Sequence, residues 1–257
     1  MPVEFVDYSI EDAVALVTLN RPPMNALNTS LIGDLDDAVG LAESPEVRAL
    51  VITGAPHFAA GADITGFQKT FDSGDDEAQA SGLAGVVARL SNLEKPTIAA
   101  ISGFALGGGL ELAMGADFRY LGESAKVGQP EILLGIIPGA GGTQRLARLV
   151  GPQRCMELCM TGRHVKADEA LAIGIADKIV PDEELLELAL GDAKRFAKGP
   201  TQGYAAVKRA VTRGFDQPLD DGMAIEAEQF ARVFASDDAK IGVAAFLAKE
   251  KPDFTGS

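Results

Sequence analysis

The sequence is short of cysteine, histidine and positive charge. Its 257 residues include two cysteines, two histidines, and 23 lysines and arginines against 37 aspartates and glutamates, for a formal net charge of −14. Each shortage excludes something. A general nucleic-acid binder needs a basic surface to displace counterions from phosphates, and the balance here is the reverse. Cys155 and Cys159 sit one helical turn apart and read as reduced core thiols; a zinc site needs more ligands than His57 and His164 can add. Neither histidine lies near a serine or aspartate pattern that suggests a triad. No stretch approaches the ~20 apolar residues that cross a bilayer. The opening MPVEFVDYSIEDAV is too poor in apolar length, and too acidic, for a secretory signal, so a cytoplasmic protein is expected.

Hydrophobic residues make up 47% of the chain and charged residues 23%, an ordinary globular balance at a length that suits one large core with an appendage. VEFVDYS and AVALVTLN predict a β-hairpin, and Leu31, Leu35, Val39 and Ala42 recur at helical spacing behind a cap at Thr29 or Ser30. VRALVITG and PTIAAISG read as buried strands, DFRYLGES as another, with helices between them. Gln68 to Gly82 is polar, acidic and glycine-punctuated, and predicts a mobile surface loop. From Thr143 onward the pattern is almost entirely helical. Gly199-Pro200 marks the boundary between an α/β core, 1–198, and a helical region, 199–257.

Two glycine-rich loops call for an explanation. Neither GFALGGGLE nor GIIPGAGGTQ carries the lysine of a phosphate-binding P-loop. GAGGTQ also lacks the last glycine of a dinucleotide fingerprint. PTIAAISGFALGGGLELAMG instead reads strand, turn, helix. Glycine lets another group approach the backbone closely, and the first N–H groups of a helix have no intrahelical partner. Such a turn can hold an oxyanion. HFAAGADI follows its own strand with the same small-residue design, so two strand ends can present N–H groups to one oxygen, or can simply be tight turns.

Two carboxylates stand out. Glu111 falls among Leu110, Leu112, Ala113 and Met114, and Glu131 is the single acid in GQPEILLGIIPG. A buried carboxylate is costly and its pKa rises, so two of them near one another can divide acid and base work.

LNRPPMNALN, FAAGADI, ISGFALGGGLELAMGAD, KVGQPEILLGIIPGAGGTQRLARLVG and TGRHVKADEALAIGIADKIV resemble, in this order and spacing, the crotonase (enoyl-CoA hydratase/isomerase) superfamily, closest to the enoyl-CoA hydratases. The resemblance implies a spiral of β-β-α units followed by a C-terminal helical trimerisation region, as a homotrimer or a dimer of trimers. It implies an acyl-CoA thioester substrate of fatty-acid metabolism, with no nucleic acid or membrane partner and no metal or redox cofactor. Its oxyanion hole maps onto the backbone N–H groups of Ala62 and Gly108. Its catalytic pair maps onto Glu111, activating water, and Glu131, the principal proton donor. Ala60, Asp63 and Ile64 carry over as coenzyme A contacts. Leu110 and Val127 depart from common choices in relatives and flank the site. Lys249 and Lys251 are candidates for the coenzyme A phosphates, from this subunit or another. An isomerase, which usually manages with the glutamate at 131 alone, another acyl-CoA enzyme of this fold, and a non-catalytic acyl-CoA-binding subunit are the competing readings.

Overall fold

The computed structural model describes residues 4–66 and 77–257. Strands β1 (Val6–Glu11) and β2 (Val14–Leu19) form the expected hairpin, with Val6 opposite Leu19. β2 then pairs in parallel with β3 (Ala49–Gly54), β3 with β4 (Thr97–Ile101), β4 with β6 (Phe118–Gly122) and β6 with β9 (Lys178–Val180). A smaller sheet joins β5 (Phe104–Leu106), β7 (Lys126–Gly128) and β8 (Val165–Lys166).

β3 is buried along its whole length because helices cover both faces of the parallel sheet. Alternation divides its side chains. Leu50 and Ile52 join the larger core with α1 (Thr29–Leu41) and α2 (Glu77–Asn92). Ala49 and Val51 face a smaller core under α7 (Leu185–Ala197), whose Leu185, Ala189, Ala193 and Ala197 line one helical face. The remaining helices are α3 (Gly108–Ala113), α4 (Gly142–Val150), α5 (Pro152–Thr161), α6 (Ala167–Ile173), α8 (Thr201–Gly214), α9 (Leu219–Phe234) and α10 (Asp237–Ala248).

Two local expectations change. The cap of α1 is Asn28, not Thr29 or Ser30: its side-chain oxygen accepts the Leu31 N–H at 2.9 Å. Of the loop expected over Gln68 to Gly82, positions 68–76 lie outside the described residues, and Glu77 onward is already helical.

The C-terminal helices are tied back to the sheet. Arg48, just before β3, donates to Gly199 O at 2.7 Å, Thr201 Oγ1 at 2.9 Å and Phe254 O at 3.1 Å. Buried Asp238 accepts the N–H groups of Thr255 and Gly256 at 2.7 and 2.9 Å. Outward from this clasp, α8 to α10 expose Phe215, Leu219, Phe230, Phe234, Phe246 and Leu247, each at least 66% accessible. Among the described residues no helix is long and apolar enough to cross a membrane.

Candidate active site

The site forms where the chain leaves the C-terminal ends of β3 and β4. Three extended segments lock together there. Ala60 N–H donates to Met24 O at 3.0 Å, Leu27 N–H to Gly61 O at 2.9 Å, and Asp63 N–H to Leu27 O at 2.9 Å. On the other side, Ala59 N–H donates to Phe104 O and Leu106 N–H to Ala59 O, both at 3.0 Å. Buried Asn25 reinforces the junction: its amide donates to His57 O at 2.7 Å and its oxygen accepts the Arg21 N–H at 2.8 Å.

This lacing leaves two N–H groups over. Among the described residues, neither Ala62 nor Gly108 donates a backbone hydrogen bond. Their backbones converge, since a Cβ placed on Gly108 would lie 3.9 Å from Ala62 N. The close approach depends on glycine. A Cβ on Gly109 would come within 2.0 Å of Ala59 O. Gly107 turns the chain at φ +52°, a conformation that side chains rarely adopt.

Both carboxylates face the same space. Glu111, in the first turn of α3, is 3% exposed, and its Oε1 accepts the N–H groups of Ala140 and Gly142, each at 2.7 Å. Burial raises its pKa, while these two N–H groups and the charge of Arg145 oppose the rise. Glu131 lies in the 3-10 turn Pro130–Leu134, opened by Pro130. Burial, with a smaller contribution from the Glu111 charge, pushes its pKa up to about 7. Fully buried Gln129 sets its side-chain amide against Glu131, 2.9 and 3.2 Å from the two carboxyl oxygens. Burial raises the pKa of both acids; they differ in that two backbone donors and Arg145 counter the rise at Glu111, while the Glu111 charge adds to it at Glu131.

A cavity of about 810 Å³ joins these parts. Ala60, Ala62, Ile64, Gly108, Glu111 and Glu131 all contribute to its wall, with Leu133, Leu134, Ile136 and Ile137 on one side. Of the candidate contact residues, Asp63 is engaged elsewhere: its carboxylate accepts from Arg21 Nη2 and Thr65 Oγ1, both at 2.6 Å. Leu110 and Val127 are fully buried in the core behind the site. No lysine or arginine is among the described residues of the wall, and neither Lys249 nor Lys251 reaches it. Among the described residues no cluster of three metal-ligating side chains is present. His57 packs against Phe104 with ring centroids 4.7 Å apart and planes tilted by 35°, and it is not part of the cavity wall that the two acids line. The sequence marks GIIPGAGGTQ as a glycine-rich loop but does not reveal that its turn at 140–142 receives Glu111, and it does not single out Gln129 or Arg145. The parts played by the turn and by Arg145 come from contacts between distant parts of the chain.

With this geometry in place, comparison with known proteins is decisive. Residues 9–257 match the family model for enoyl-CoA hydratase/isomerase. The chain belongs to the enoyl-CoA hydratase/isomerase family. It is 42% identical over 247 residues to the short-chain-enoyl-CoA hydratase of Clostridium acetobutylicum, covering 94% of each chain. It is 43% identical over 260 residues to the crotonyl-CoA hydratase of Syntrophomonas wolfei, covering 99% of each. The crystal structure of an enoyl-CoA hydratase from Bacillus anthracis superposes with a TM-score of 0.94 at 34% identity, over 99% of this chain and 100% of that one. The fold of this family member is accordingly the crotonase-like α/β architecture expected from its motifs.

Proposed function

We propose that this chain is an enoyl-CoA hydratase, adding water across the double bond of a 2-enoyl-CoA to give a 3-hydroxyacyl-CoA. The observation that carries this reading is the convergence of two unpaired N–H groups and two unlike carboxylates on one cavity. The thioester oxygen accepts from the N–H groups of Ala62 and Gly108. Those donors are fixed before the substrate arrives, and they favour the enolate-like charge that develops on the oxygen. Ala60 and Ile64 line the approach of the coenzyme A arm, and Asp63 orders their loop through Arg21.

Glu111, whose charged form its two backbone donors favour against burial, takes a proton from water as the oxygen bonds to the β-carbon. Glu131, which keeps its proton up to about pH 7, delivers it to the α-carbon. The two acids then exchange one proton and return to their starting states. Oxidation level is unchanged overall, so the reaction needs no redox cofactor. A second glutamate, fixed by two N–H donors, favours hydration over double-bond isomerisation, which needs only one group to move a proton.

The core, 1–198, carries this chemistry, and the helical region, 199–257, assembles a trimer or a dimer of trimers. The bare apolar faces of α8 to α10 support that role. The fatty-acid context and a cytoplasmic setting complete the reading. The test is loss of the conjugated-enoyl absorbance of crotonyl-CoA, run beside Glu111→Gln and Glu131→Gln. Hydration by the wild type with a rate drop of at least about a hundredfold in each variant supports the pair. Thioester binding with no absorbance change supports the non-catalytic binder instead.

A further inference from the structure

Arg145 extends from α4 toward two other helices. Its Nη1 donates to Ser91 Oγ, in the last turn of α2, at 3.0 Å. The same nitrogen reaches Met114 O, the C-cap carbonyl of α3, at 3.5 Å. A helix C-terminus carries unpaired carbonyls and partial negative charge, so a cation there is favourable. α3 is the helix that carries Glu111.

The same side chain also covers the turn that holds the Glu111 carboxylate. Gly141 sits at φ +102°, and a Cβ on it would lie 3.3 Å from Arg145 Nε. Arg145 N–H closes the turn by donating to Gly141 O at 2.8 Å. On either side of Gly141, the N–H groups of Ala140 and Gly142 donate to Glu111 Oε1. One guanidinium thus touches the end of the helix that delivers Glu111 and lies over the turn that receives it.

We propose that Arg145 is a positioning residue for the hydration reaction, locking Glu111 in register with its backbone donors and setting a positive charge beside its carboxylate. The proposal rests on the assignment of Glu111 as the water-activating base. The other titratable groups around Glu111 are Glu131 on the 3-10 turn, whose charge opposes ionisation, and Cys159 on α5, whose thiol burial keeps protonated. Arg148, further along α4, faces Asp216 and not the site. Arg145 is therefore the cation that offsets Glu131 at this carboxylate.

The experiment measures kcat and KM for crotonyl-CoA hydration across pH in Arg145→Gln and Arg145→Lys, with Glu111→Gln as reference. Arg145→Gln should lower kcat by about ten- to a hundredfold, as displacement of a reacting group does, with KM within about threefold. Its acid limb in kcat/KM should move to higher pH, because Glu111 loses a neighbouring positive charge. Arg145→Lys should restore the acid limb and only part of kcat, since one ammonium does not reproduce the guanidinium fork. An Arg145→Gln enzyme with an unmoved acid limb, and a kcat loss no larger than its unfolded fraction, means a structural role only and overturns the proposal. If that variant does not fold, Arg145→Lys decides: full wild-type kcat overturns the proposal. Inactive Glu111→Gln beside a wild-type-like Arg145→Gln sinks this inference alone. Full activity in Glu111→Gln sinks the base assignment, and this inference with it.

Discussion

The carboxylate of Glu131 stands against the bare backbone of Gly107: a Cβ added to that glycine would lie 2.9 Å from Glu131 Oε1. Gly107 also holds φ +52°, so alanine there meets both backbone strain and the carboxylate proposed as the proton donor. Strain of this kind costs about 1–3 kcal/mol, and relief by moving either the turn or the acid disturbs the site. Gly107→Ala is expected to lower kcat by at least about tenfold while the protein stays folded by circular dichroism. Wild-type turnover in that variant would mean that Glu131 does not work from this position.

The raised pKa of Glu131 gives two pH dependences. As the proton donor it must be protonated, so kcat/KM for hydration should fall as pH rises through about 7. Stability has the same direction. The folded state holds this proton up to about pH 7 and the unfolded chain only to about 4.5, so the stability the protonated group confers is present below 4.5 and lost as pH rises through 7. Glu131→Gln removes that loss. The variant should melt higher than wild type at pH 8, by roughly 2–4 °C for a screened contribution on the order of 1 kcal/mol, and should show no such gain near pH 4. Parallel melting curves at both pH values would contradict the assignment.

Much of this site was legible because it is local. The strand, the glycine turn and the first-turn acid lie within Thr97 to Glu111, and an isolated acid in GQPEILLG marks Glu131 directly. The pairing of Ala62 with Gly108 was visible only through two similar loops and a family resemblance, since nothing in either segment specifies the other. Arg145 was not legible at all: its partner Ser91 lies 54 positions away, and arginine on a helix usually reads as a solvated face. The α1 cap was missed for a different reason. Asn28, Thr29 and Ser30 are all competent caps, and the choice depends on where the chain arrives from Leu27, which Gly61 and Asp63 hold.

Arg21 and Asp63 tie the loop before α1 to the loop that carries Ala62. The ion pair measures 2.6 Å, and Arg21 Nη1 also donates to Ala26 O at 2.8 Å. Hydrogen bonding from Thr65, then from Arg21, holds the Asp63 carboxyl below its ordinary pKa. Asp63→Asn should therefore cost about 1 kcal/mol at neutral pH, a difference that shrinks as acid protonates the wild-type carboxylate. The loop that carries Ala62, the proposed oxyanion donor, should also loosen, so kcat/KM should drop by about tenfold. Steady-state kinetics with crotonyl-CoA checks this, and a stability loss with unchanged kcat/KM would confine the pair to holding the fold.

The apolar faces of the C-terminal helices supply the last prediction. Phe230 and Phe234 stack at 5.5 Å on α9 and are 66% and 68% exposed, while Phe246 on α10 is 83% exposed. A monomer rarely leaves so many large apolar side chains in water on adjoining helices. If they meet other copies of the chain, a charge placed among them is buried without a partner at every interface of a ring. Phe234→Asp should then shift the mass by light scattering from an oligomer to a monomer. The exposed position predicts little loss of helix content on its own account. A wild type that is already monomeric at micromolar concentration would remove the assembly role from α8 to α10 and leave their apolar faces to another partner.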